Sequence, residues 1–427
     1  MAGKQDGQVD LLRLRVIRQL IHSKIEYMKR KCRNIDITDK QFVMQAINDC
    51  MSHKSSKKMS RQDISRIFRQ YKTADAIADL LIDEIRRRHI DVRQIRYDDR
   101  VDRSNGKLRI IAIEDIKQQF YDYIAYNALG ELDSYIGHYQ IACKDGMGPL
   151  FGSRVVQQWM RDKDVQYAIV ADVRKCYPSI THDNMMAWLS RHVANDALLW
   201  LISELLKLSE QGKPTASLLL RLRADPELAA QLEAVKYGLP IGSYLSIKLC
   251  ALYIADIYHR CEGSYFSERR GKRRNIFSHV MINMDDIYLF GSNASGMHRA
   301  MADLIQFAAG MGLTIKPDWR LISLKHSDPD AHVDVLGYRV YRDRITMRPR
   351  NYRKLRHSIR IFRAHPTAGH ARSLMARHGM FILHTNARRF CNKYNVYQTA
   401  RKARKVISRY DKSKVCSEAG PGNRNAD

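Results

Sequence analysis

His279-Val-Met-Ile-Asn-Met-Asp-Asp-Ile-Tyr-Leu-Phe-Gly291 sets two adjacent aspartates, Asp285 and Asp286, between the apolar stretches His279–Met284 and Ile287–Phe290. Short apolar runs bounded by a polar turn read as strands, and here they meet at an acidic corner. Adjacent carboxylates repel, and near a buried strand end that repulsion is costly without a bound cation. A third acid, Asp172, closes a separate apolar run, Tyr167–Asp172. Carboxylates converging from separate strands suit two Mg²⁺ ions, or Mn²⁺ in their place, engaged in phosphoryl transfer. If Asp172 lay more than about 10 Å from the Asp285/Asp286 corner, no shared two-ion cluster could form and this reading would collapse.

The rest of the composition agrees with a polyanionic partner. The 427 residues carry 73 Lys and Arg against 45 Asp and Glu, a formal net charge of +28. Each phosphate neutralised by such a surface releases a condensed counterion, so charge favours nucleic acid, with a membrane surface as the rival. The hydrophobic content of 45% supports a packed core in two or three units. Eight cysteines are scattered without a Cys-x-x-Cys pair, which leaves a zinc site or disulfide framework unsupported. The polar start, Met1–Asp10, is no signal peptide, and no 18-residue uncharged apolar stretch occurs. The expectation is a soluble cytoplasmic protein with no membrane association.

Outward from the acids, the chain divides by pattern. Residues 11–90 read as helices: Val16 to Met28 keeps a helical period, Thr38 with Gln41 forms a capping box for a helix through Ile47, Ser60 with Asp63 opens a third, and Ala74–Arg88 supplies a fourth. Ser104-Asn105-Gly106 marks a hairpin turn, after which Lys107 and Arg109 share one face. Two cations on one face suit a triphosphate; a solvated edge hairpin blunted by charge is the alternative. Glu114 to Gly137 reads as an amphipathic helix buried through Ile116, Phe120, Tyr123, Ile124 and Leu129. The Lys144–Gly148 cluster is a turn before a helix ending near Trp159, not a Walker loop. Met185–Leu208 reads as one helix, Gln211–Glu233 as a polar helical insertion without assigned role, and Glu262–Asn275 as a cation-dense loop. A helix from about Gly296 to Ala309 follows, then a hairpin over Val335–Val340 and Arg344–Thr346. From Asn351 to Tyr410 there are 15 Lys and Arg and no Asp or Glu, over a helical period at Leu355, Ile359 and Phe362. Beyond Asp411 the Ser/Gly/Asn composition reads as disordered.

Five stretches taken in order carry a resemblance: Asp172-Val-Arg-Lys-Cys-Tyr177-Pro-Ser-Ile180, Gly238-Leu-Pro-Ile-Gly-Ser-Tyr-Leu-Ser246, Met284-Asp-Asp-Ile-Tyr-Leu-Phe-Gly291, Gly312-Leu-Thr-Ile-Lys316 and Leu336-Gly-Tyr338. Together they resemble the palm motifs A to E of reverse transcriptases, over roughly residues 95–350. The resemblance implies an α+β right-hand polymerase. Its parts would be a helical N-terminal extension (1–91), fingers and a palm built on a ferredoxin-like sheet (92–347), a basic helical thumb (348–410) and a disordered tail (411–427).

The same resemblance implies roles. Asp172 and Asp285 would ligate two metal ions with Asp286 as supporting acid, and dNTPs would be added to a 3′-hydroxyl on an RNA template to give a DNA product. Tyr177 falls on the steric gate against a 2′-hydroxyl, with core packing as its alternative. Gly242 would let template or nucleotide approach the backbone. Lys316 would be the general acid for pyrophosphate departure, or else a surface lysine. Lys107 and Arg109 would hold the triphosphate. Arg273, Arg274, Arg353 and Lys354 are cations placed to bind nucleic acid. Asn283 and Ile241 depart from the family's Tyr and Gln at primer–template positions, which puts duplex handling and priming in doubt.

No carboxylate lies within 351–410, so no ribonuclease H can sit there. The Cys176–Ile180 and Gly238–Ser243 stretches look most like stand-alone bacterial enzymes, the defence-associated group foremost, with retron and diversity-generating enzymes as alternatives. The expected template is a cognate non-coding RNA. Template-independent or protein-primed synthesis, and a non-catalytic RNA-binding scaffold on the same fold, remain open, as does a need for an oligomer or partner protein.

Overall fold

The structure, a computed structural model, describes residues 30–54, 61–101, 106–142, 144–269, 271–382 and 385–418. The expected first helix over Val16–Met28, the Ser60 cap, the Ser104-Asn105 part of the hairpin turn, and Arg270 lie outside these residues.

Three helices come first: α1 (Lys40–Ser52), α2 (Gln62–Tyr71) and α3 (Ala74–Arg86). The cap of α1 is Asp39, whose carboxylate accepts from Phe42 N, and Thr38 instead bonds back to Asp36 at 2.8 Å. The Thr38–Gln41 capping box is thus corrected to an Asp39 cap one residue later, with Thr38 held in an Asx turn by Asp36. A hairpin follows, β1 (Arg96–Val101) against β2 (Leu108–Ile113), then α4 (Ile116–Ala128). The expected helix over Glu114–Gly137 stops at Ala128 and continues as a 3-10 turn, Leu129–Tyr135. Helix α5 (Pro149–Met160) and strand β3 (Tyr167–Asp172) fall where the sequence put them.

After the short α6 (Cys176–Ser179) the expected single helix is two, α7 (His182–His192) and α8 (Asp196–Glu210). Asn195 breaks it. Its side chain caps α8 and donates to the carbonyls of Cys32 and Ile35, while Lys31 bridges to Val193. The Gln211–Glu233 insertion is strand β4 (Lys213–Pro214), parallel to β1, followed by α9 (Ala216–Ala224) and α10 (Pro226–Tyr237). Leu218, Leu228, Leu232 and Val235 bury against Ile95, Tyr97, Ile110 and Ala112, so the insertion is the backing of the β1–β2 hairpin. Helix α11 (Tyr244–Gly263) is buried on nearly every side. The cation-dense loop is in fact a hairpin, β5 (Phe266–Arg269) with β6 (Lys272–Asn275), turned at Gly271 with φ 69.

Strands β7 (His279–Asn283) and β8 (Asp286–Gly291), helix α12 (Ala294–Gly310) and β9 (Arg320–Ser323) complete a four-stranded antiparallel sheet in the order β7-β8-β3-β9. With helices between β3 and β7 and between β8 and β9, this order is that of a ferredoxin-like sheet. Alternate residues of the strands (Ile169, Ala171, Ile287, Leu289) join the core formed with α11 and α12, and the others (Ala168, Tyr288, Phe290, Met281) join a second core. The second core is shared with β10 (His332–Val335), β11 (Tyr338–Tyr341) and β12 (Ile345–Met347), a three-stranded sheet where one hairpin was expected. Four helices end the described chain: α13 (Pro349–Ala364), α14 (Ala368–Ile382), α15 (Arg388–Lys393) and α16 (Val396–Glu418). Helix α16 carries on through 411–418, where disorder was expected. Among the described residues no helix is long and apolar enough to cross a membrane. The whole is α+β.

Candidate active site

The acids meet at one end of the four-stranded sheet. Asp172, last in β3, stands opposite Asp286, first in β8, and Asp286 in turn faces Asn283 of β7. Directly opposed residues of antiparallel strands have Cα atoms roughly 4.5–5.5 Å apart and side chains on one face. Asp285 lies in the two-residue turn between, held by Val173 N–H donating to its carbonyl at 2.9 Å. The other turn residue, Met284, sits at φ 55, as Lys175 does at φ 45 and Leu336 at φ 51. Positive φ at non-glycine positions stores strain, and three of them surround this corner.

The electrostatics are those of crowded carboxylates. Burial, then Asp285 and Asp172, push the Asp286 carboxyl up to about 6, against Arg348 and the Tyr288 hydroxyl acting downward. Burial and the Asp172 charge raise Asp285 too, opposed by Lys316 and Arg109. The Lys316 ammonium lies 2.5 Å from Asp172 Oδ1 but off the direction of a hydrogen bond, so this buried oxygen has an ionic neighbour and no directed donor. Among the described residues no three His, Cys, Asp or Glu side chains already form a metal-ligand cluster. The donor set nonetheless fits a hard divalent cation: oxygen ligands, mutual repulsion and an undonated buried oxygen.

Most other sequence candidates gather here. Lys316 is fixed through its backbone N–H, which donates to the Asp172 carbonyl at 2.9 Å. Tyr177, on α6, reaches Met284 Sδ with its hydroxyl at 3.6 Å, adjacent to Asp285. Arg109, exposed on β2, acts on Asp285, and Lys107 precedes it just outside the strand. Ile241 accepts from Ala112 N at 2.8 Å, which docks β2 on the loop before α11. Gly242 (φ 118) is demanded by that docking, because a Cβ there would lie 2.4 Å from the Ala112 carbonyl oxygen. The fold itself therefore accounts for this glycine before any nucleotide is considered. Arg353 and Lys354 lie on the first turns of α13. Arg273 and Arg274 are not brought to the acids: their hairpin joins β7 at its His279 end, opposite the Asn283 end, and Arg273 stacks on Phe266 at 3.3 Å.

Sequence reasoning missed two residues of this corner. Tyr288, buried on β8, accepts from Leu336 N at 3.4 Å and hydrogen-bonds Asp286, which links the Leu336-Gly337 turn to the acids. Arg348, immediately before α13, projects its charge onto Asp286 while neighbouring Asp334 at 3.7 Å. The alternation of β8 could have flagged Tyr288 as facing the same side as Asp286.

The reverse transcriptase (RNA-dependent DNA polymerase) family model matches residues 98–340. This is more than half of the chain, and the chain belongs to that family. Its members are RNA-directed DNA polymerases, nucleotidyltransferases that generally use divalent metal ions. No curated protein matches the chain.

Proposed function

We propose that this chain adds dNTPs to a 3′-hydroxyl along an RNA template, with Asp172, Asp285 and Asp286 holding two Mg²⁺ ions. The observation that carries it is the cross-strand placement of Asp172 against Asp286, with Asp285 in the adjoining turn. When bound, such ions would activate the 3′-hydroxyl and neutralise the triphosphate. Lys316 would leave Asp172 for the departing pyrophosphate and serve as its proton donor. Arg109 and Lys107 would hold the triphosphate, and Tyr177 would exclude a 2′-hydroxyl beside Met284. Around this site, residues 92–347 would act as fingers and palm. The helices of 348–410 would act as a thumb on the duplex backbone, since they begin at Arg348 beside Asp286 and Asn351–Tyr410 carries 15 Lys and Arg without an acid.

The form of the Cys176–Ile180 and Gly238–Ser243 stretches supports a stand-alone bacterial enzyme copying a cognate non-coding RNA in anti-phage defence. Asn283 opposite Asp286 and Ile241 at the docking loop favour one second reading, template-independent or protein-primed synthesis. Primer extension with the purified chain tests both. Asp285→Asn with Asp286→Asn should abolish incorporation, by roughly a thousandfold or more given the several kcal/mol that bound metal supplies, while RNA binding persists. Incorporation of single dNTPs without RNA would favour the second reading, and wild-type protein inert under every condition would end the first.

A further inference from the structure

His182 is nearly buried at the start of α7, away from the acids, and its ring joins three segments of chain. Nδ1 lies 2.7 Å from Glu210 Oε1 at the end of α8, and Nε2 lies 2.8 Å from the Gly238 carbonyl oxygen. A carboxylate and a carbonyl only accept, so both bonds coexist only when both ring nitrogens carry hydrogen. The Ser209 hydroxyl, 3.4 Å from Nε2, is directed at the Leu206 and Lys236 carbonyls at 2.7 and 2.9 Å.

The Gly238 carbonyl matters because of what rests on the next peptide. Leu239 N donates to the Tyr177 carbonyl at 3.0 Å, and Thr181 bridges to Gly238. A Cβ on Gly238 would stand 2.4 Å from the Pro178 carbonyl oxygen, so the two turns touch backbone to backbone. The path from His182 to the Tyr177 ring is therefore one side-chain hydrogen bond, one peptide and one backbone hydrogen bond.

We propose that His182 is a positioning residue for nucleotide selection: doubly hydrogenated, it ties Glu210 to Gly238 and through Leu239 sets Tyr177 against the sugar. This rests on the reading of Tyr177 as the gate. It also gives the 211–237 insertion a second consequence, since α8 and α10 end at the two groups His182 joins. The charged partner of the ring is Glu210 at the end of α8, and Asp183 follows His182 on its own helix.

The experiment compares kcat/KM for a dNTP and the matching rNTP in wild type, His182→Ala, His182→Gln and Tyr177→Ala, with melting temperatures alongside. The rNTP/dNTP ratio should rise about tenfold in His182→Ala, within the range a reshaped pocket can change. His182→Gln, whose amide still donates to one acceptor, should recover part of the discrimination. A histidine needed only for stability would lower dNTP and rNTP incorporation in equal proportion, and that result overturns the proposal. So does a His182→Gln ratio equal to wild type, which remains decisive if His182→Ala fails to fold. Should Tyr177→Ala leave the ratio unchanged, the gate reading fails at its own step; should Tyr177→Ala raise it while the His182 variants do not, only the present inference fails.

Discussion

Two groups of crowded carboxylates among the described residues are built oppositely. At the sheet end, Asp172, Asp285 and Asp286 face one another with Lys316, Arg348 and Arg109 as the neighbouring charges. In the interior, Glu114 and Asp122 are almost wholly buried between α4 and α11, and hydrogen-bond each other. Burial raises both groups: Asp122 to about 6, as Asp286, and Glu114 well above its ordinary value. The difference lies in the donors. Asp122 receives the Ser243 hydroxyl at 2.7 Å and Leu245 N at 3.4 Å, so it anchors the start of α11. Asp172 Oδ1 has no directed donor at all. A raised carboxyl is thus a poor sign of function by itself, and a raised carboxyl short of donors is a better one.

The largest effect that would test this contrast is on the rate. Lys316→Ala removes the cation in contact with Asp172 Oδ1. With Lys316 as the proposed general acid, its loss should slow incorporation by roughly a hundredfold or more, with KM for primer–template little changed. A comparable loss in Lys54→Ala, which removes a positive charge that acts on Glu114 of the interior pair, would erase the distinction between the two groups. So would full activity in Lys316→Ala.

How much of this was legible beforehand follows the range of the forces involved. β3 ends at Asp172 and the acidic corner turns where the apolar runs stop, because strand burial writes itself into consecutive residues. The break at Asn195 was hidden because its partners, Cys32 and Ile35, lie 163 and 160 positions away. The β5–β6 hairpin was masked by its own exposure: with three cations in the four residues of β6 and one apolar residue, Phe266, in β5, no apolar alternation marks it. His182 was missed because it acts through a backbone carbonyl that no residue type announces, whereas the alternation of β8 already placed Tyr288 on the face of Asp286.

A second, smaller effect comes from pH. In the folded state Asp122 holds its proton to about 6, against 3.8 as its ordinary value. Between those values the folded chain binds a proton that the unfolded chain has released, so this group costs nothing below about pH 4 and its full penalty is present above about 6. Stability should therefore fall as pH rises through that window, by about 1–3 kcal/mol at 1.36 kcal/mol per unit. Asp122→Asn cannot titrate. The wild-type stability minus that of the variant, from urea melts at about pH 4, 5 and 6, reads the titration of the coupled Asp122–Glu114 pair. A difference independent of pH would mean that Asp122 is ionised in the fold and that the interior pair resembles the corner more than its donors suggest.

The smallest effect separates the two groups most directly. A cation held by the corner and not by the unfolded chain stabilises by RT ln(1 + [L]/Kd), about 1.4 kcal/mol at ten times Kd. Mg²⁺ should raise the melting temperature of wild type and of Asp122→Asn alike, because the interior pair is closed to solvent and already satisfied by protein donors. Asp172→Asn should lose most of that increment, since it removes the negative charge of a carboxylate whose buried Oδ1 lacks a directed donor among the described residues. Ionic strength alone would shift all three proteins together, and a matched monovalent salt supplies the baseline. If Asp172→Asn kept the full Mg²⁺ increment, the ion would be binding elsewhere, and the missing donors at Asp172 would then reflect its strained neighbours Met284 and Lys175 rather than a seat for metal.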